Sequence, residues 1–230
     1  GKLTFIDHQS KETKIIDQLD LVITMPSLRQ ALNLSGSVRY MAQTLELESI
    51  ITSPAKAINN QPFAVELNLT SALVKLNYQG EVVQQGEELN GKLSLSGDSV
   101  KALLNWQNIA LVAKDEAFNK FSLSTNMGFA NNKLTLNKLK VSLDELEFNG
   151  STAITLSEPL NISSTIDLGI LDLNPYLPEP SSEVETTPTD DQVSQPIVWD
   201  NTELDLSVLR SINANISIKS SQLLVRDIKL

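Results

Sequence analysis

The residues able to do chemistry in this chain are few and poorly placed for it. There is no cysteine and a single histidine, His8, in the polar run Asp7-His8-Gln9-Ser10. A Ser-His-Asp triad would have to use that imidazole, and a histidine in such a run reads as an exposed turn residue. Zinc needs three or four N, S or O ligands, and no His/Cys cluster supplies them. Asp144, Glu145 and Glu147 lie close enough to suggest the paired carboxylates of a glycoside hydrolase. Glu145 and Glu147, however, alternate with Leu146 and Phe148, which places them on the solvent side of a strand. Asp190-Asp191 lacks the ligand spacing of a calcium loop. Gly36 and Gly97 are lone glycines, not a phosphate loop. The residues therefore predict a protein that is not an enzyme and uses no metal or cofactor.

The elements around these residues are more informative. From Lys133 to Leu173 the apolar residues recur at every second position. Leu134 and Leu136 set the phase, and Leu139, Val141 and Leu143 resume it after a one-residue slip. Leu146, Phe148, Ile154, Leu156, Leu160, Ile162, Ile166 and Leu168 follow, with Ser, Thr, Asn and charged residues between them. A period of two puts one set of side chains on each face of a strand, so this stretch predicts a sheet with one apolar and one wet face. The same alternation runs through Leu19–Met25, Leu45–Ile50, Phe63–Leu69, Leu73–Val83 and Leu89–Leu95. Ser53-Pro54, Asn59-Asn60, Gln85-Gly86-Glu87, Asn90-Gly91 and Asn131-Asn132 read as turns between antiparallel neighbours.

About a dozen strands spaced about 4.8 Å apart make a sheet roughly 50–60 Å wide. Sheets of that width curl, split or need cover. Two short helices are predicted, one capped by Asp98 or Ser99 and running to Ile109, the other over Ser207 to Ile212. They are too small to cover the sheet. The predicted fold is mainly β: a long curled antiparallel meander, as an open groove or a partial barrel or sandwich, with one or two short helices. Residues 1–178 form the sheet, with its helix near 99–109. Residues 179–198, with five acids and three prolines, form a flexible loop. Residues 199–230 add a short helix and two returning strands of the same domain.

The net charge of −10, from 28 acidic and 18 basic residues, disfavours nucleic acid and anionic bilayers as electrostatic partners. No run approaches the roughly 18 apolar residues of a membrane span. The start at Gly1-Lys2-Leu3-Thr4 and the stop within a strand pattern suggest a piece of a longer protein. Asn-x-Ser/Thr triplets, as at Asn68, Asn149 and Asn161, arise from polar alternation and carry no weight as glycosylation sites. Trp106 and Trp199 are isolated and read as packing residues.

The segment Leu171-Asp172-Leu173-Asn174-Pro175-Tyr176-Leu177-Pro178, followed by an acidic, Pro-rich stretch, resembles the AsmA family. So do Trp199, Leu204-Asp205-Leu206-Ser207-Val208-Leu209-Arg210, Ala214-Asn215-Ile216-Ser217-Ile218 and Leu223-Leu224-Val225-Arg226-Asp227-Ile228. Upstream, Leu93 to Leu104 and Ala117 to Leu123 look like the family's strand-then-helix and the strand start after it. The resemblance covers about Leu89 to Leu230, and no one motif in it is catalytic. The family's N-terminal membrane helix does not appear, as expected of a fragment.

The resemblance implies a periplasmic domain, anchored to the inner membrane through a segment outside this chain. It implies a part in outer-membrane biogenesis and in moving phospholipid between membranes, along a curled β-groove that carries acyl chains. The expected occupant is a phospholipid or another acyl-chain lipid, with outer-membrane assembly factors as further partners. The expected groove wall is Leu134, Leu136, Val141, Leu143, Leu146, Phe148, Ile154, Leu156, Ile162, Ile166 and Leu168. The alternative is a non-enzymatic scaffold for outer-membrane proteins, in which the same residues fill a closed core.

Overall fold

In the computed structural model the described residues are 3–6, 13–83, 86–111, 113–177, 212–226 and 228–229. Twelve strands form one sheet, and the first eleven are laid down in chain order. They are β1 (Leu3–Ile6), β2 (Thr13–Thr24), β3 (Leu32–Tyr40), β4 (Gln43–Ile51), β5 (Phe63–Thr70) and β6 (Lys75–Val83). Next come β7 (Glu88–Gly97), β8 (Phe121–Ala130), β9 (Lys133–Leu143), β10 (Leu146–Thr155) and β11 (Leu160–Asp167). Each pairs antiparallel with the next. β12 (Ile170–Asp172) leaves the sheet, and β13 (Ile212–Lys219) returns to it alongside β11. The sheet ends at β1 and β13, which do not pair with each other, so it is not closed into a barrel.

The mainly β antiparallel meander is as expected; within this sheet only the β11–β13 pair departs from it, being parallel. A parallel neighbour needs a long crossover, and the chain from 168 to 211 supplies it. β12 pairs with β14 (Gln222–Val225), which pairs in turn with β15 (Ile228–Lys229), making a small second sheet. The returning segment thus has three strands where the sequence suggested two. Ile212, placed in a helix by the sequence reading, starts β13. The rest of that helix, the loop at 179–198 and Trp199 lie outside the described residues, as does His8.

Two short helices are present among the described residues. α2 (Val100–Trp106) is the one capped by Ser99, whose Oγ accepts the Ala102 N–H at 3.0 Å. It ends before Ile109, where Asn108 takes a positive φ of +60°. Ser53-Pro54, expected as a turn, instead starts the helix α1 (Pro54–Ile58): Ser53 is its N-cap residue and Pro54 fills its first turn. Asn90-Gly91 is not a turn. Both residues lie within β7, where Gly91 stands directly opposite Gly80 of β6. The Tyr78 ring lies over this glycine pair and fills the space where Cβ atoms would stand. A sequence that looks like a hairpin is here a platform for an aromatic ring.

The slip between Leu136 and Leu139 is a β-bulge. Leu136 pairs with Thr152 and Leu139 with Gly150, and Lys138 has φ +53°. The extra residue restores the apolar phase to the correct face. β2 has a matching bulge between Asp17 and Asp20, with Gln18 at φ +50°.

Two-residue turns close β3–β4 and β8–β9, and each has positive φ at both central residues. Asn131-Asn132 suits that geometry, whereas Met41-Ala42, at +46° and +63°, does not. Replacing Met41-Ala42 by Asn-Gly should raise the stability by about 1–2 kcal/mol, since left-handed backbone penalises side chains with a Cβ. The urea midpoint measures the change.

Candidate functional site

The register joins the apolar residues of all these strands into one surface. On β8 to β11, the row Phe129, Leu134, Ile154, Ile162 runs across neighbouring strands, and so does Leu123, Val141, Phe148. On β4 to β7 the rows Leu47–Leu69–Leu76–Leu95 and Ile51–Val65 continue the same face. From β3 to β11 and on β13, outside the bulge, no Asp, Glu, Lys or Arg falls on this face. The opposite face is a ladder of Ser, Thr, Asn, Gln and charged residues. Asn77 donates to Asn68, Gln79 to Glu66 at 2.9 Å and Asn213 to Asn161 at 3.1 Å.

The expected wall residues sit on this surface, with two exceptions. Leu156 lies past the end of β10 and is 51% exposed, and Leu168 lies past the end of β11. Leu146 is buried, and Leu134, Leu136, Val141, Leu143, Phe148, Ile154, Ile162 and Ile166 are half-buried. The sequence reading confined the wall to β9–β11. The face extends equally over β3–β8, and the alternation in Phe63–Leu69 and Leu89–Leu95 was the signal for it.

No large side chain among the described residues is fully buried. The described chain lays no second layer against the apolar face: each strand's main contacts are with its sheet neighbours. Near the sheet's margins apolar residues are open, with Ile23 at 64% and Ile218 at 60% exposure. Toward the middle they shield one another. Hydrogen-bonding groups on the face are mostly satisfied internally. Thr125 Oγ1 donates to the Asn137 carbonyl at 3.0 Å, and the hydroxyls of Thr152 and Ser164 bond each other at 2.9 Å. The Tyr78 hydroxyl is buried without a partner, and burial raises its pKa.

One end of the sheet is covered. α2 starts at the end of β7 and reaches back to the β3–β4 turn, where the Trp106 indole N–H donates to the Met41 carbonyl at 3.0 Å. The Trp106 ring meets Tyr40 edge-on at 5.9 Å. A seven-residue helix is about 10 Å long, enough with its terminal indole to bridge the strand ends between. At the β9–β10 turn the Asp144 carboxylate accepts the backbone N–H groups of Phe118 (2.8 Å) and Asn119 (2.9 Å) and the hydroxyl of Tyr176 (3.0 Å). Phe118 and Tyr176 also meet edge-on at 5.0 Å, and Ala117 between these segments is fully buried.

The Asn174-Pro175-Tyr176 segment forms a 3-10 turn, and its polar groups tie the cap together. The Asn174 side-chain oxygen accepts the Arg226 N–H, and its carbonyl accepts Lys114 Nζ at 3.5 Å. Asp144 therefore holds the cap to the sheet, a role its neighbours Glu145 and Glu147, both exposed, do not share.

Burial, and then the hydrogen bond to Asp144, push the Tyr176 pKa up to about 12. The folded state thus holds this proton more tightly than the unfolded chain, whose tyrosines ionise near 10. The stability this contributes is complete below pH 10 and is lost as pH rises toward 12. Tyr176→Phe should flatten the stability profile between pH 10 and 12. Denaturation across that range, followed with tyrosinate absorbance, checks it.

The polar face and the capped end also carry concavities. One of about 410 Å³ on the polar face is lined by Asp20, Ser35, Ser37, Glu46, Glu48 and Asn68, among others. Another of about 320 Å³, by Lys75, Asp98, Lys120 and Asp144, lies at the capped end. Among the described residues no cluster of His, Cys, Asp or Glu could hold a metal, and no helix is long and apolar enough to cross a membrane. No family model, curated protein or solved structure matches the chain.

Proposed function

We propose that this chain binds the acyl chains of phospholipid along its apolar sheet face, as a periplasmic AsmA-like domain serving outer-membrane biogenesis. The observation that carries the reading is the charge-free face running from β3 to β13, which the described residues leave without a covering layer. An occupant of that face meets hydrocarbon and almost no free donor or acceptor. A hydrocarbon chain needs none, whereas a polar ligand would lose its hydration without compensation. Backbone groups in the sheet are committed to their ladder, so an extended peptide lying on this face would find no partner for its own.

In this reading the wet face turns to the periplasm, and the inner membrane is reached through a segment outside this chain. The test is to purify the protein without detergent, extract it with organic solvent and analyse the extract by mass spectrometry. Co-purifying phospholipid is the expected result. Protein that stays lipid-free, and takes up no phospholipid from vesicles, overturns the proposal; recovery of outer-membrane assembly factors in its place would favour the scaffold reading.

A further inference from the structure

We infer that the apolar face works as a one-ended trough, with acyl chains lying along the strands and their methyl ends toward the capped end. The inference rests on the lipid reading above and adds the direction in which the ligand lies. The two ends of the sheet are built differently. At the end where β7 stops and β8 starts, α2 crosses to the Tyr40-Met41 corner, and Asp144 pins the Phe118-Asn119 segment. Tyr176 packs on Phe118, which closes the cap over the β9–β10 corner.

At the other end, the β8–β9 connection is only the tight Asn131-Asn132 turn. The Leu156 N–H closes onto the Asn132 carbonyl at 2.8 Å. α1 is tied to the neighbouring Leu28 carbonyl through Ala55 at 2.7 Å, toward the β2 side of the sheet. Among the described residues this end has connecting loops and the short α1 but no helix laid across several strands, and Met25, Leu28, Ile58 and Leu156 are exposed there. A lipid headgroup is hydrated and bulky; it fits the end that the described residues leave uncrossed and conflicts with one crossed by a helix and two aromatic pairs. The hydrocarbon tail has the opposite preference, because the capped end offers Trp106, Tyr40, Phe121 and Leu143.

Two photoreactive palmitic acids, one with a diazirine next to the carboxyl group and one with it at the chain terminus, test the direction on the full chain. After illumination, labelled peptides are mapped by mass spectrometry. The terminal probe should label peptides holding Trp106 and Phe121, and the carboxyl-side probe those holding Phe129 and Ile154, each with at least a several-fold preference. A reversed pattern, or equal labelling of both ends by both probes, overturns the one-ended trough while leaving lipid binding intact. No labelling by either probe overturns the lipid reading itself.

Discussion

Leu136→Asp should leave the protein folded while abolishing most of its lipid loading. Leu136 lies mid-strand on β9, between Met127 of β8 and Thr152 of β10, half-buried on the apolar face. In an uncovered trough the new carboxylate keeps part of its hydration, and the expected loss of stability is about 1 kcal/mol. In a closed core the same charge would be buried unpaired, at a cost of several kcal/mol. An acyl chain lying on the face would have to desolvate the carboxylate, which should lower retained lipid about tenfold or more, since each 1.4 kcal/mol is a factor of ten. Thermal denaturation and lipid quantitation on the same preparation separate these outcomes. A collapse of the melting temperature with the lipid-free protein equally affected would indicate a packed interior and remove the basis for a trough.

The second large effect is expected at Asp144. Its carboxylate takes two backbone N–H groups and the Tyr176 hydroxyl, so removing it strands the Phe118 and Asn119 N–H groups and leaves the hydroxyl only the longer bond to the Leu143 carbonyl at 3.3 Å. Hydrogen bonds to a charged group are worth more than neutral ones, and Asp144→Ala should cost about 3 kcal/mol. Part of that comes from the positive φ of +51° at this position, which alanine tolerates less well than aspartate. Asp144→Asn keeps the backbone preference and should cost about half as much. In that variant Tyr176 should ionise closer to the ordinary tyrosine range, though not fully within it, because burial remains the larger cause of its shift. Amide exchange at Phe118 and Asn119 should quicken in both variants. Unchanged exchange there would show that the cap is held by packing alone.

Much of the fold could be read from period-two alternation. It placed β2, β4 to β7 and β9 to β11 and most of the wall residues, because one face is apolar and the other polar almost without exception; β3, with Leu32, Leu34 and Val38 on the same face, went unread. Even the bulge at Lys138 was visible, as a slip in phase at Leu139. The errors arose where local signals compete with pairing. Asn90-Gly91 has the composition of a turn, yet Gly80 and the ring of Tyr78 make it a strand interior. Ser53-Pro54 marks a turn or a helix start equally well. The parallel docking of β13 depends on a partner far away in the chain, which alternation cannot register. Asp144 stood among three acids, and only its three-dimensional neighbours distinguish it from Glu145 and Glu147.

The neighbour-by-neighbour order of the sheet has a kinetic consequence. Through β11 each strand pairs with the one just before it, so contacts are short in sequence and each loop closure is cheap. The chain can zip from its first hairpin onward as it is delivered, with one growing edge at any time. β13 is the exception, because it must find β11 across everything from 168 to 211. Its docking is the slow, non-local step, and until it occurs the β11 edge is open to wrong partners, as the β1 edge is.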